Sequence, residues 1–190
     1  MNADDTVHQL DPADLAGVVK LEETNRLQVL AEMIDFIGTC RSANECIDLV
    51  LTKLNQLVNA ESVCLYQLNP ANKTITALSV QGDKKAAVLE WQKKIQLRLG
   101  QGLIGHIMMM GKSEIINAVQ QHPRFSPEID ILSGLKTQSV LAVPLIAQQK
   151  VIGAVEFINK KISGKFTLPD LHTAEISGKF ITELLSSGDS

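Results

Sequence analysis

At 190 residues, 45 % hydrophobic and 21 % charged, the chain is long enough to bury a core without disulfide or metal staples. A formal net charge of −3 gives no overall attraction to nucleic acid or an anionic membrane surface. No apolar run approaches a membrane span, and the acidic, polar start (Met1 to Val7) lacks the basic and apolar regions of a signal peptide, so cytoplasmic residence is the default expectation.

Asp11-Pro12 reads as an N-cap followed by proline at the first helical position. Leu15, Val18, Leu21, Leu27, Leu30, Ile34 and Ile37 then recur at helical spacing, which predicts a long amphipathic helix ended by Gly38. Ser42-Ala43-Asn44-Glu45 has the form of a capping box. It predicts a second helix to about residue 58, with Ile47, Val50, Leu51, Leu54 and Leu57 facing inward. The period then changes to two. Residues 61–68 and 74–80 predict a hairpin around the turn Asn69-Pro70-Ala71-Asn72. Residues 84–93 form a polar helical or irregular piece. Ile95, Leu97 and Leu99, alternating with Gln96 and Arg98, predict a third strand.

A short helix follows over 103–110, then a short strand over 114–117 and a short helix opened by Ser126-Pro127. The two strongest strands are 139–147 and 151–158, joined through Gln148-Gln149-Lys150. Thr167 caps a last helix ending near Leu185, and residues 187–190 form a small polar tail. This order predicts an α+β fold: an antiparallel sheet of about six strands, helices on both faces, and the N- and C-terminal helices packed together. In the last helix, Leu171, Ala174, Ile181 and Leu185 form one apolar stripe; Ile176, Phe180 and Leu184 form a second that could meet a partner.

Three cysteines (Cys40, Cys46, Cys64), with none in a C-x-x-C pair, argue against a disulfide framework and for small apolar residues on buried faces. The scattered histidines, with no i, i+4 pair, give no metal site. Gly100-Gln101-Gly102-Leu103-Ile104-Gly105 matches a dinucleotide fingerprint. The strand before it alternates polar and apolar, however, and a hairpin rather than a repeated β-α-β unit lies downstream, so a tight strand-to-helix turn is the better reading. His106, beside Met108-Met109-Met110, is either core packing or pocket lining. Asn117 and the loop His122-Pro123-Arg124-Phe125 could hold an anion or a ring, or form a surface turn with Phe125 tucked inward.

These segments, followed by Val140-Leu141-Ala142-Val143-Pro144-Leu145 and Val151-Ile152-Gly153-Ala154-Val155-Glu156-Phe157, resemble a GAF domain over roughly residues 26–186, a fold related to PAS; residues 1–25 read as a partly helical N-terminal extension for linkage or dimerisation. Asn159, Lys160, Phe166 and Asp170 further resemble the N-K-xn-F-x3-D-E motif of GAF domains that bind cyclic nucleotides, with Leu171 in place of the final Glu. The resemblance implies that Lys160 and Asp170 pair to latch loops over a pocket; on the residues alone, they simply tie the last strand to the last helix. It implies a regulatory sensory module without catalysis of its own. Its ligand would be small, with cAMP or cGMP leading, and would be held by Asn159, Lys160, Phe166, Asp170, His106, Asn117, Arg124 and Phe125. A helical homodimer would carry the signal to an effector domain or partner protein outside this chain. The alternatives are a ligand-free scaffold for protein–protein interaction and, remotely, an enzyme resembling free methionine sulfoxide reductases. The last needs cysteines in the pocket loops, and residues 100–134 contain none.

Overall fold

The computed structural model describes residues 31, 40, 42–83, 86, 96–127, 130 and 136–187. The expected first helix and the piece at 84–93 therefore lie almost wholly outside the described residues, as do most of the short helix after Ser126 and the end of the tail.

Helix α1 is Ala43–Val58. It starts where the capping box places it: the Ser42 side chain accepts from the Glu45 N–H at 3.2 Å. It ends at Asn59, a residue type that tolerates the left-handed conformation found there (φ 52°). Strands β1 (Ala60–Asn69) and β2 (Thr74–Gly82) form the expected hairpin, with a bulge at Leu65/Tyr66. The third strand is shorter than its alternation suggested. Only Leu97–Arg98 (β3) pairs with β2, at Thr74 and Ile75. Next come α2 (Gly102–Met110), β4 (Glu114–Ile116) and a 3-10 turn at Val119–Gln121. Strands β5 (Val140–Ala147) and β6 (Lys150–Lys160) form the long hairpin. Gln148 (φ 48°) and Gln149 (φ 63°) turn it, the paired positive values that match the twist of a two-residue connection. Helix α3 is Leu168–Ser187.

The six strands run in the order β3-β2-β1-β6-β5-β4, every pair antiparallel. The period-two alternation divides their side chains between two cores. Val63 and Leu65, Leu141, Val143 and Leu145, and Val155 and Phe157 point to the face covered by α1 and α3. Cys64 and Tyr66, Val140 and Ala142, and Ala154 and Ile158 point to the face covered by α2, through Ile104, Ile107 and Met108. Helices thus cover both faces, and α1 packs against α3. This is the predicted α+β architecture.

Two expectations need correcting. Phe180 and Leu184 do not form a free stripe on α3. They are half-buried and packed against the first core, and of that stripe only Ile176 is exposed. A 20-residue helix packed on the sheet beside α1 buries a wider arc than one stripe. Cys40 and Cys46, read as isolated buried thiols, are instead joined as a disulfide with Cα atoms 5.6 Å apart. The two cysteines are six residues apart, a spacing that no C-x-x-C motif announces. Cys64 alone fits the buried-apolar reading.

Candidate functional site

The glycine run between β3 and α2 is a turn. Gly100 (φ 84°) and Gly102 (φ 65°) take the left-handed conformations that L side chains avoid, and a Cβ on Gly105 would sit 2.3 Å from the Arg98 carbonyl oxygen. The turn brings the N-terminus of α2 over the end of the sheet. There a recess opens between the sheet (Tyr66, Val140, Glu156, Ile158), Leu97, the start of α2 (residues 101–104) and a rim of Phe125, Ser126, Asp130 and Thr137. Its cavity volume is about 70 Å³, room for a few water molecules.

The floor is polar. Glu156 is 8 % exposed and Tyr66 1 %, on neighbouring strands, and the Tyr66 hydroxyl donates to Glu156 Oε2 at 3.0 Å. Burial pushes the Glu156 carboxyl up to about 7, against the opposing pull of the Tyr66 hydrogen bond. Burial first, then the charges of Cys64 and Glu156, hold the Tyr66 hydroxyl well above its ordinary value. Burial and then Glu156 push the Cys64 thiol up, so it stays protonated and unreactive. No lysine, arginine or histidine is among the described residues lining the recess. The first turn of α2 offers backbone N–H groups there instead.

The rim is clamped from two sides. Asp130 accepts from the Thr137 N–H (2.8 Å) and hydroxyl (2.6 Å). Behind it Asn159 uses its whole amide. Oδ1 accepts from the Gln138 N–H (2.7 Å) and Ser139 N–H (3.3 Å), and Nδ2 donates to Glu61 Oε2 and the Lys136 carbonyl, both at 3.0 Å. Asn159 therefore acts on the recess through the segment 136–139. Asn159→Ala is expected to cost about 2 kcal/mol, since it removes the partner of the Gln138 and Ser139 N–H groups and of the Lys136 carbonyl, measurable as a lower urea midpoint with unchanged m.

Of the eight residues singled out from the sequence, Phe125 lines the recess. Lys160 and Asp170 form an ion pair at 2.9 Å, with Asp170 1 % exposed. Lys160 Nζ also donates to the Val58 carbonyl at 2.7 Å, which joins the ends of α1 and β6 to the start of α3. Phe166 is buried in the α1/α3 core, across the sheet from the recess. Asn117 fixes it by a reciprocal pair, accepting from the Phe166 N–H (2.8 Å) and donating to its carbonyl (3.0 Å). His106 is half-buried on α2, its Nδ1 enclosed without a hydrogen-bond partner, and Arg124 is exposed. Neither lines the recess. Reading the sequence missed Glu156 and Tyr66. The available signal was a carboxylate on the same strand face as Ala154 and Ile158, and the chain's single tyrosine two residues after Cys64 on the first strand.

The sequence and the fold have counterparts among known proteins. The chain is 28 % identical over 132 residues to a probable 3',5'-cyclic phosphodiesterase of Caenorhabditis elegans, covering 67 % of this chain and 18 % of that protein. It is 27 % identical over 155 residues to the dual 3',5'-cyclic-AMP and -GMP phosphodiesterase 11A of Takifugu rubripes, covering 79 % and 17 %. The chain thus spans less than a fifth of the length of these curated relatives. Among solved structures, the GAF domain of a phosphoenolpyruvate-protein phosphotransferase from Coxiella burnetii superposes with a TM-score of 0.74 at 17 % identity, covering 87 % of this chain and 95 % of that one. The free methionine-R-sulfoxide reductase of Neisseria meningitidis shares the fold at a TM-score of 0.69 and 14 % identity, covering 86 % and 90 %. The GAF domain family model matches residues 42–182, and the chain belongs to that family.

Proposed function

We propose that this domain is a regulatory sensory module that does no chemistry itself. It binds a small ligand in the recess beside α2, with cAMP or cGMP the leading candidate. The observation that carries this reading is the buried Glu156–Tyr66 pair on the floor of a mostly apolar cavity. A buried carboxyl is costly unless something uses it, and a ligand presenting hydrogen-bond donors, such as the edge of a purine, answers it. Phe125 supplies a ring face for stacking, and the first turn of α2 suits a cyclic phosphate. The phosphodiesterases among its relatives support the choice of nucleotide.

The enclosed volume bears on how such a ligand enters. About 70 Å³ is too small for a nucleotide, so binding requires the Asp130–Thr137 clamp to open and the rim to move. The same observation favours the second reading, a scaffold that dimerises without a ligand. In the sensory reading, signalling runs through a helical homodimer to an effector outside this chain, located in the cytoplasm. The ligand shifts that assembly only as far as it binds one arrangement better than the other. No helix among the described residues is long and apolar enough to cross a membrane.

Thermal unfolding against cAMP, cGMP and a panel of small metabolites tests the proposal. A saturable rise in midpoint with one nucleotide, lost in Glu156→Gln, is expected. No rise with either nucleotide at millimolar concentration leaves the scaffold in front.

A further inference from the structure

Glu156 brings a carboxyl to the floor of the recess at 8 % exposure, opposite Cys64 on β1 and Ala142 on β5. The titratable groups that face it are Cys64 and Tyr66 from β1 and Asp130 from the rim. Strand β5 and the first turn of α2 contribute none, and His106 of α2 does not line the recess. None of these described groups is a cation. Among the described residues the Tyr66 hydroxyl, donating to Oε2 at 3.0 Å, is the hydrogen-bond partner of the carboxyl. One donor does not compensate a buried carboxylate, so the empty recess holds the neutral acid. We infer that Glu156 recognises a ligand edge bearing two neighbouring N–H donors, and that such a ligand displaces the Glu156 proton to solvent as it binds. This rests on the reading of the recess as a small-ligand site.

The donor pattern selects the ligand. An ionised carboxylate offers acceptors only, spaced for two parallel N–H bonds. The guanine base presents its N1–H and a 2-amino N–H side by side. Adenine presents one N–H donor beside the N1 lone pair, which an ionised carboxylate repels. A guanidinium group presents the same donor pair as guanine and adds a positive charge. The step is a proton transfer alone: the carboxylic acid, the ligand and a water molecule give the carboxylate–ligand complex and one hydronium ion. Burial holds the Glu156 carboxyl at about 7 against the opposing pull of the Tyr66 bond, so the proton to be displaced is present at and below neutral pH.

The test is isothermal titration calorimetry of the full chain with cGMP, cAMP and methylguanidinium. Each is run in phosphate and in Tris at one pH, and the difference in apparent enthalpy reads the protons exchanged. With cGMP about half a proton should be released at pH 7 and close to one at pH 6, and affinity should fall by up to about tenfold for each pH unit below about 7. With cAMP, binding should be at least about tenfold weaker and release no proton. Tyr66→Phe removes the donor that favours the ionised form, so it should raise the release at pH 7 and weaken cGMP binding. Glu156→Gln sets an amide against the ligand's donors and should lose the binding of cGMP. Release with cGMP supports both the donor-pair site and the nucleotide. Release with methylguanidinium alone keeps the donor-pair site and removes the nucleotide. Binding of cGMP without proton release, with the same release in Glu156→Gln, or no tighter than that of cAMP overturns the donor-pair site and leaves the nucleotide standing. No binding of any of the three at millimolar concentration overturns both.

Discussion

Asp170→Ala is expected to destabilise the fold by about 3–5 kcal/mol, the loss typical of breaking a buried ion pair by removing one partner. Asp170 is 1 % exposed; its Oδ1 accepts from Lys160 Nζ at 2.9 Å, and its Oδ2 from the Thr167 N–H and hydroxyl, both at 2.9 Å. Truncation leaves the Lys160 ammonium, 14 % exposed, with only the Val58 carbonyl, and removes the cap at the start of α3. For a domain of this length each kcal/mol moves the thermal midpoint by about 2–4 °C. A double change, Lys160→Met with Asp170→Leu, should recover much of the loss, because no charge is then stranded. A single-mutant loss below about 1 kcal/mol contradicts the role assigned to the pair, since that is the worth of an exposed salt bridge.

Glu156→Gln is expected to stabilise the fold at pH 8 and to leave it nearly unchanged at pH 4. The folded carboxyl sits at about 7, against an ordinary 4.5 in the unfolded chain, so the folded state holds the proton more tightly. Its contribution is full below pH 4.5, is lost as pH rises, and is gone above about 7. At about 1.4 kcal/mol per pH unit that gap is worth about 3 kcal/mol. Denaturant midpoints between pH 4 and 8 should show this component in the wild type and lack it in the variant, whose amide still accepts from Tyr66. Parallel profiles for the two proteins contradict a buried, protonated Glu156.

What was legible in the sequence was local. Ser42 and Thr167 announce their helices because a cap is a contact over three residues, and the β5–β6 hairpin follows from two apolar runs meeting at a short turn. The ion pair was anticipated by resemblance to a motif rather than by physics. Other features depended on what covers each element. Strand β6 is buried from Gly153 to Asn159 on both faces, so period-two alternation could not show that Glu156 points into a cavity. Phe180 and Leu184 lie where two neighbours meet α3, which a helical wheel cannot show. The partner of Cys46 was hidden because pairing follows the path of the chain rather than its spacing.

A titration followed by two-dimensional amide NMR tests the central claim most directly: that a small ligand enters the recess beside α2. With cGMP or cAMP, saturable shifts are expected at residues 101–104, Phe125, Ser126 and Thr137, and those shifts should be absent in Glu156→Gln. Saturating binding whose shifts fall elsewhere, or spectra unchanged at millimolar nucleotide, would contradict the assignment of a cyclic nucleotide to this cavity.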